Sequence, residues 1–225
     1  KVAAAVLTLL RDKLPGYVNA DIRDVQVLAP MKKGSLGVLQ LNRFLQESLN
    51  PPSREKKELP VRDMIFREGD KVMHIKNNYD LAWEMKTASG FAYDHGTGVF
   101  NGDIGIINRI NEHTQMLEVI FDDGKYVIYE FDQLEELTLA YASTIHKAQG
   151  SEYPAVVLPL LTVPNILMNR NILYTAVTRA RKCVVIVGSE EAVGRMIVNT
   201  KEQDRYSGLK DRLDEVMLSA KRFLY

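Results

Sequence analysis

The spacing of apolar residues changes period repeatedly along the chain, and each change predicts a change of element. Val2, Val6, Leu9, Leu10 and Leu14 recur at helical spacing, and Pro15-Gly16 predicts the end of that helix. The pattern opens inside a helix with no initiating Met, which implies a piece of a longer protein. Val25-Gln26-Val27-Leu28-Ala29, closed by Pro30, predicts a short buried strand. Leu36, Leu39, Leu41, Leu45 and Leu49 return to helical spacing, with Ser35 as an N-cap and Pro51-Pro52 as a stop. Residues 21–50 therefore predict one strand–loop–helix unit of an α/β domain.

The character changes after that. Residues 51–61 are rich in proline and charge and predict a linker. From Gly69 to Phe131 the apolar runs are short. Lys71–Lys76, Ile104–Ile110, Leu117–Phe121 and Lys125–Phe131 cluster β-formers, with turn signals at Asn111-Glu112-His113 and Asp122-Asp123-Gly124. Short strands at this spacing predict a small barrel. Lys86–Gly98, with three glycines and few apolar anchors, predicts a mobile loop.

Beyond residue 137 the α/β pattern resumes. Thr138–Ala142 predicts a strand, Ser143–Gln149 a loop and short helix, and Ala155–Leu160 a second strand. Arg170–Arg181 predicts an amphipathic helix. Cys183–Gly188 is continuously apolar, the pattern of a strand at the centre of a parallel sheet. Glu190–Asn199 and Leu209–Phe223 predict closing helices. The layout is an α/β domain, residues 1–60 and 137–225, interrupted by an inserted β-barrel, residues 62–136.

Composition narrows the function classes. The 225 residues are 46% hydrophobic and 26% charged, which is ordinary globular composition and enough chain for a core. No apolar run approaches ~18 residues, so no membrane helix is predicted and no membrane partner is expected. The small residues Ala3-Ala4-Ala5 lack a cleavage site and are followed too soon by charge for a secretory leader. The single cysteine, Cys183, allows no internal disulfide and fits a reducing, cytoplasmic setting. One cysteine and four scattered histidines give no zinc spacing, and no metal ligand is predicted. Net charge is zero, which removes the simple argument for nucleic acid but leaves room for a locally basic groove.

Chemistry concentrates in two stretches. No G-x-x-x-x-G-K-[ST] occurs. Gly124-Lys125 is followed by Tyr126, and Asp214-Glu215 has no apolar strand before it, so neither forms a nucleotide cradle. Ser143-Thr144-Ile145-His146-Lys147-Ala148-Gln149-Gly150-Ser151-Glu152-Tyr153 lies between two strands and is dense in phosphate and sugar donors. As residues alone, it reads equally as a polar surface loop. Leu173, Ala176, Val177 and Ala180 share a helical face, which leaves Arg179 elsewhere; alone, it reads as a cation at a helix C-terminus.

Together these stretches resemble a family. Thr144–Glu152 resembles motif V of superfamily 1 helicases, and Tyr174–Arg181 resembles their motif VI. The match is closer to RecD-like DNA helicases, the exodeoxyribonuclease V alpha-subunit, TraA and Pif1 group. Val27–Gly34, Gly37 and Leu41-Asn42 resemble their motif IV region. Gly69–Met73, Asn77–Asp80 and Val99–Gly105 resemble the opening of their inserted SH3-like domain. The resemblance spans about residues 21–225 and lacks the first motor domain with its Walker motifs.

The resemblance implies a second RecA-like motor domain with an SH3-like barrel inserted in it. It implies ATP and Mg²⁺ held mainly by the first RecA-like domain, with Gly150, Glu152 and Arg179 completing the site from this chain. Arg179 would be the catalytic arginine finger and Glu152 the ribose contact. It implies single-stranded DNA held by Lys33, Thr144, His146 and Lys147, and on the barrel by Lys71, Asn77 and Asn78. The expected partners are DNA, the first RecA-like domain and the subunits of a nuclease complex, and the expected activity is 5′-to-3′ unwinding. Read without the resemblance, the chain also fits a nucleic-acid-binding or partner-docking module with no motor role. A phosphate-binding metabolic enzyme of doubly wound fold lacks its glycine-rich loop.

Overall fold

The computed structural model describes residues 1–161, 164, 167–200 and 212–213. The predicted helix Leu209–Phe223 and Asp214-Glu215 therefore fall almost wholly outside the described residues.

The first helix does not stop at Pro15. Helix α1 (Val2–Thr8) runs through a π-helical turn, Leu9–Lys13, into α2 (Leu14–Val18). The wider turn lets the Leu14 amide reach the Leu9 carbonyl and places Pro15, which has no amide proton to lose, at the start of α2. Val6, Leu10, Leu14 and Val18 are buried along one face. Asn19, at φ 51°, closes the segment in the left-handed region. Strand β1 (Val25–Ala29) is buried throughout, including Gln26, the one polar residue of its run. Helix α3 spans Val38–Leu49. Its N-cap is Gly37, not Ser35, because Val38 and Leu39 already donate to the Met31 and Lys32 carbonyls.

The barrel follows. Hairpin β2 (Glu58–Val61) and β3 (Met64–Arg67) occupies the end of the expected linker, and Leu59, Val61 and Met64 pack on the barrel core. The main sheet is antiparallel and contains β4 (Lys71–His74), β5 (Asn78–Lys86), β6 (Ala92–Val99), β7 (Ile104–Asn111), β8 (Met116–Phe121), β9 (Lys125–Glu130) and β10 (Leu137–Leu139). Its order is β10-β4-β7-β8-β9-β5-β6. Val72 on β4 and Val99 on β6 belong to one core cluster with Ile107, Val119 and Tyr129, so the sheet curls upon itself.

Two expectations fail in the barrel. Lys86–Gly98 is not a loop; it is most of the β5–β6 hairpin, turning at Thr87–Phe91. Gly90 takes its positive φ in the turn, and Gly96 serves the strand: a Cβ there would lie 2.5 Å from the Trp83 ring across the ladder. The expected strand Thr138–Ala142 is two strands. Leu137–Leu139 pairs with β4 in the barrel, and β11 (Ala142–Thr144) pairs with β1 in the parallel sheet, so the barrel's sheet extends past residue 136.

The parallel sheet is completed by β12 (Tyr153–Leu160) and β13 (Ala180–Gly188), with helices α4 (Arg170–Val177) and α5 (Glu190–Val198). All its pairings are parallel, in the order β11-β1-β12-β13. Among the described residues β13 is an edge strand, not a central one, and its side chains are half-exposed. The helix expected to reach Arg181 ends at Val177, and Arg179 and Arg181 lie beyond it. The fold is mixed α/β, a four-stranded parallel sheet with an antiparallel barrel inserted in it.

Candidate functional site

The donor-rich loop crosses the parallel sheet from one edge to the other. Thr144 ends β11, and Tyr153 begins β12, two places away across β1. In a parallel sheet these are opposite ends of the two strands that flank β1. The connection is short and anchored by Ile145 and Ala148, both buried in the core beneath the parallel sheet. Its polar residues are therefore divided between two faces of the domain.

Thr144, His146 and Lys147 sit at the carboxyl edge. The turn is built from the Ala148 amide donating to the Thr144 carbonyl and the Lys147 amide donating to Thr144 Oγ1, at 3.2 and 3.3 Å. His146 and Lys147 are exposed. Partial desolvation, and then the charge of Lys32, hold the Lys147 ammonium below the ordinary lysine range. Lys33, also exposed, follows Lys32 on the β1–α3 loop of the same edge. That loop is held tightly: a Cβ at Gly37 would lie 2.5 Å from the Lys33 carbonyl carbon.

Gly150, Glu152 and Arg179 sit together at the opposite edge. Gly150 adopts φ +91°, with open space where a Cβ would stand. Arg179 is half-buried. Its Nη1 donates to the Ser151 carbonyl and its Nε to the Thr175 carbonyl, both at 3.2 Å, and its Nη2 donates to Thr178 Oγ1 at 3.3 Å. The Arg179 carbonyl accepts from the Tyr153 amide at 2.8 Å. Arg181, on β13, donates from Nε to Glu152 Oε2 at 2.8 Å. These side chains offer a carboxylate for hydroxyl groups beside a planar cation for phosphate oxygens.

On the barrel, Lys71 is misassigned as a DNA contact. It is 4% exposed, and its ammonium donates to the Arg23 carbonyl at 2.6 Å and to Gln26 Oε1 at 2.9 Å. It joins the two domains from inside. Asn78 is spent on local structure. Its Nδ2 donates to Glu136, and its Oδ1 accepts from the Asp80 and Leu81 amides. Asn77 is exposed, with its Oδ1 accepting from the Asn101 amide.

Residue patterns did not point to the domain junction. Asp70 is fully buried and accepts from Asn50 Nδ2, the Arg67 amide, Tyr141 Oη and Gln46 Nε2. Burial nevertheless pushes its carboxyl above the usual range. Asn42 donates to the Leu139 and Ala142 carbonyls and accepts from the Ala142 amide. A cavity of about 350 Å³ lies beside this junction, lined by Arg23, Lys71 and Asp122 on one side and Ser151 and Glu152 on the other. The one available signal was polar residues, Asn42, Gln46 and Asn50, on a helical face that otherwise reads as core.

Residues 41–121 match the SH3 domain of ATP-dependent RecD-like DNA helicases, and residues 139–187 match the UvrD-like helicase C-terminal domain. An ATP-dependent RecD2 DNA helicase of Deinococcus radiodurans is 35% identical over 168 residues, covering 75% of this chain and 20% of that one. The chain belongs to the RecD-like helicases. The RecBCD enzyme subunit RecD of Mycobacterium tuberculosis is 36% identical to this RecD-like chain over 122 residues, covering 54% of it and 20% of the subunit. The RecD-like chain thus spans about a fifth of the length of these relatives. In fold, it is similar to a Pif1 helicase from Bacteroides solved in complex with ADP-AlF3 and ssDNA. The TM-score is 0.50 at 18% identity, covering 96% of this chain and 49% of that one. Among the described residues no group of three or more His, Cys, Asp or Glu could hold a metal ion, and no helix is long and apolar enough to cross a membrane.

Proposed function

We propose that this RecD-like chain is the second motor domain, with its inserted barrel, of an ATP-dependent 5′-to-3′ DNA helicase. The observation that carries the reading is the division of one loop. Gly150 and Glu152 stand with Arg179 at one sheet edge, while Thr144, His146, Lys147 and Lys33 stand at the other. A nucleotide at the first edge and a single strand at the second would then be joined by the eight residues between Thr144 and Tyr153.

In this reading Glu152 accepts from ribose hydroxyls. Arg179 gives up its bonds to the Ser151 and Thr175 carbonyls and turns its planar fork to the γ-phosphate. A guanidinium suits that exchange because it stays charged and can meet two oxygens at once. Bound ATP would supply the phosphoryl group, with its Mg²⁺ held by the first RecA-like domain, outside this chain. The 225-residue chain alone is accordingly expected to show no ATPase activity. Exposed Lys33, His146 and Lys147, with Thr144 and with Asn77 on the barrel, would hold the DNA backbone without reading sequence. The RecBCD name of the mycobacterial relative favours membership in a nuclease complex as a further setting.

The test is steady-state ATPase kinetics of the full-length protein. Arg179→Ala is expected to leave ATP binding nearly intact and to lower DNA-stimulated kcat by ~10³–10⁵. Arg179→Lys should recover little of it. A normal kcat with a lowered melting temperature would reduce Arg179 to a structural clamp between α4 and Ser151 and end the finger assignment.

A further inference from the structure

The outer face of the barrel carries a groove that neither motor edge uses. It runs across β5, β9 and β8 and encloses about 550 Å³. The strand register explains its lining. Glu84 lies opposite Tyr126, and Met116 lies opposite Glu130. The alternate residues Val127 and Tyr129 point into the core, so Tyr126, Ile128 and Glu130 point out.

The floor of this groove is apolar and open. Ile128 is 49% exposed and Met116 39%, with the Tyr126 ring between β5 and β8. Scattered single apolar residues need no explanation, but adjacent ones on neighbouring strands do. The rim is acidic: Asp80, Glu84 and Glu130 line it. Among the described residues Lys86 is the one cation in the lining, and it is already committed. Its ammonium lies 3.6 Å from both Glu84 and Glu118 and 4.9 Å from the Tyr126 ring centre.

That charge decides between occupants. A nucleic-acid strand would bring phosphates against three carboxylates, with no uncommitted cation in the lining to receive them. A cationic protein segment would bring the opposite charge. An extended chain presents alternate side chains to one face. Three strands at about 4.8 Å spacing make a floor roughly 10 Å wide, the width of one such chain with its side chains. We propose that this face docks an extended segment of a partner protein that alternates Lys or Arg with large apolar residues. Its apolar side chains would cover Ile128 and Met116, and its cations would meet Glu84, Glu130 and Asp80. The proposal concerns the barrel alone and stands whether or not the motor assignment does.

The test is a selection from a random peptide library displayed on phage, with the 225-residue chain as bait. A synthetic peptide of the enriched class is then titrated by fluorescence anisotropy. Enriched peptides are expected to combine at least two cations with a large apolar residue and to bind more weakly as salt rises. Ile128→Ser, and separately the pair Glu84→Gln with Glu130→Gln, should each weaken binding at least about tenfold. Ile128 and Glu84 are exposed, and Glu130→Gln keeps an oxygen for the Gln133 amide that Glu130 caps, so the melting temperature should not move. No enrichment over an unrelated bait, enriched peptides without cations, or affinity unchanged in both variants would overturn the proposal. A fluorescent oligothymidylate serves as the second arm. Equal affinity for the wild type and Ile128→Ser supports a face apart from DNA, and a tenfold loss would assign the groove to nucleic acid instead.

Discussion

Lys71 offers the sharpest quantitative expectation, because its charge is carried into the protein interior. Burial depresses its pKa from 10.5 to about 8, although Asp122, Asp24 and Asp21 work in the opposite direction. Below about pH 8 both the folded and the unfolded chain hold the proton, and the fold bears the whole cost of the buried ammonium. Between about pH 8 and pH 10.5 the unfolded chain still binds the proton and the folded one has released it, so stability rises with pH. Each tenfold drop in proton affinity corresponds to about 1.4 kcal/mol, so the full effect is about 3 kcal/mol, of which about 2 kcal/mol should appear between about pH 7 and pH 9.5. Lys71→Met removes the titration and strands the Arg23 carbonyl and Gln26 Oε1, a loss that does not depend on pH. Urea unfolding of both proteins at both pH values isolates the difference, since titrating groups that do not face Lys71 cancel. The wild type should gain about 2 kcal/mol on the variant as pH rises. A double difference below about 0.5 kcal/mol, or of opposite sign, would show that the ammonium is not desolvated and would refute the reasoning.

Three further outcomes follow from geometry. Gly37→Ala should cost roughly 1–3 kcal/mol in a denaturant titration, because its Cβ would meet the Lys33 backbone at 2.5 Å. Asn42→Ala leaves the Leu139 and Ala142 carbonyls and the Ala142 amide without their partner. It should cost at least roughly 3 kcal/mol by the same measurement. Arg181→Ala in the full-length protein frees Glu152 from an ion pair that is exposed on both sides. It should raise the KM for ATP by at most about fivefold, leaving kcat and the thermal melt alone.

Where one local rule governs, the sequence pattern was enough. Strand β1 was readable to the residue, because four apolar residues in five, closed by Pro30, mark a short strand buried on both faces. The short barrel strands were readable from their turns. The β5–β6 hairpin was not, since glycine signals a loop locally, and only Trp83 across the ladder gives Gly96 its reason. Pro15 misled in the same way: it ends a helix unless a π-turn shifts the hydrogen-bond register ahead of it. The apolar run of β13 suggested a central strand, but composition does not say how many neighbours a strand has. For the candidate site, the motif residues were legible, and their division between two sheet edges was not. Lys71 failed because a strand's alternation does not tell a residue facing solvent from one facing a second domain.

Asn50 and Tyr141 mark where the chain leaves the α/β domain for the barrel and where it returns. Both donate to the same oxygen, Asp70 Oδ1, at 2.7 and 2.9 Å. The entrance and exit of the insertion are thus pinched together at a single atom. An insertion with adjoining ends can be gained, lost or exchanged without lengthening or straining its host, as a cassette is. A short turn joining the end of α3 to the start of β11 would close the gap left by removing the barrel and keep the order of the parallel sheet. Asp70 carries that pinch through four donors, drawn from α3 and its C-cap, the end of β3 and the returning crossover.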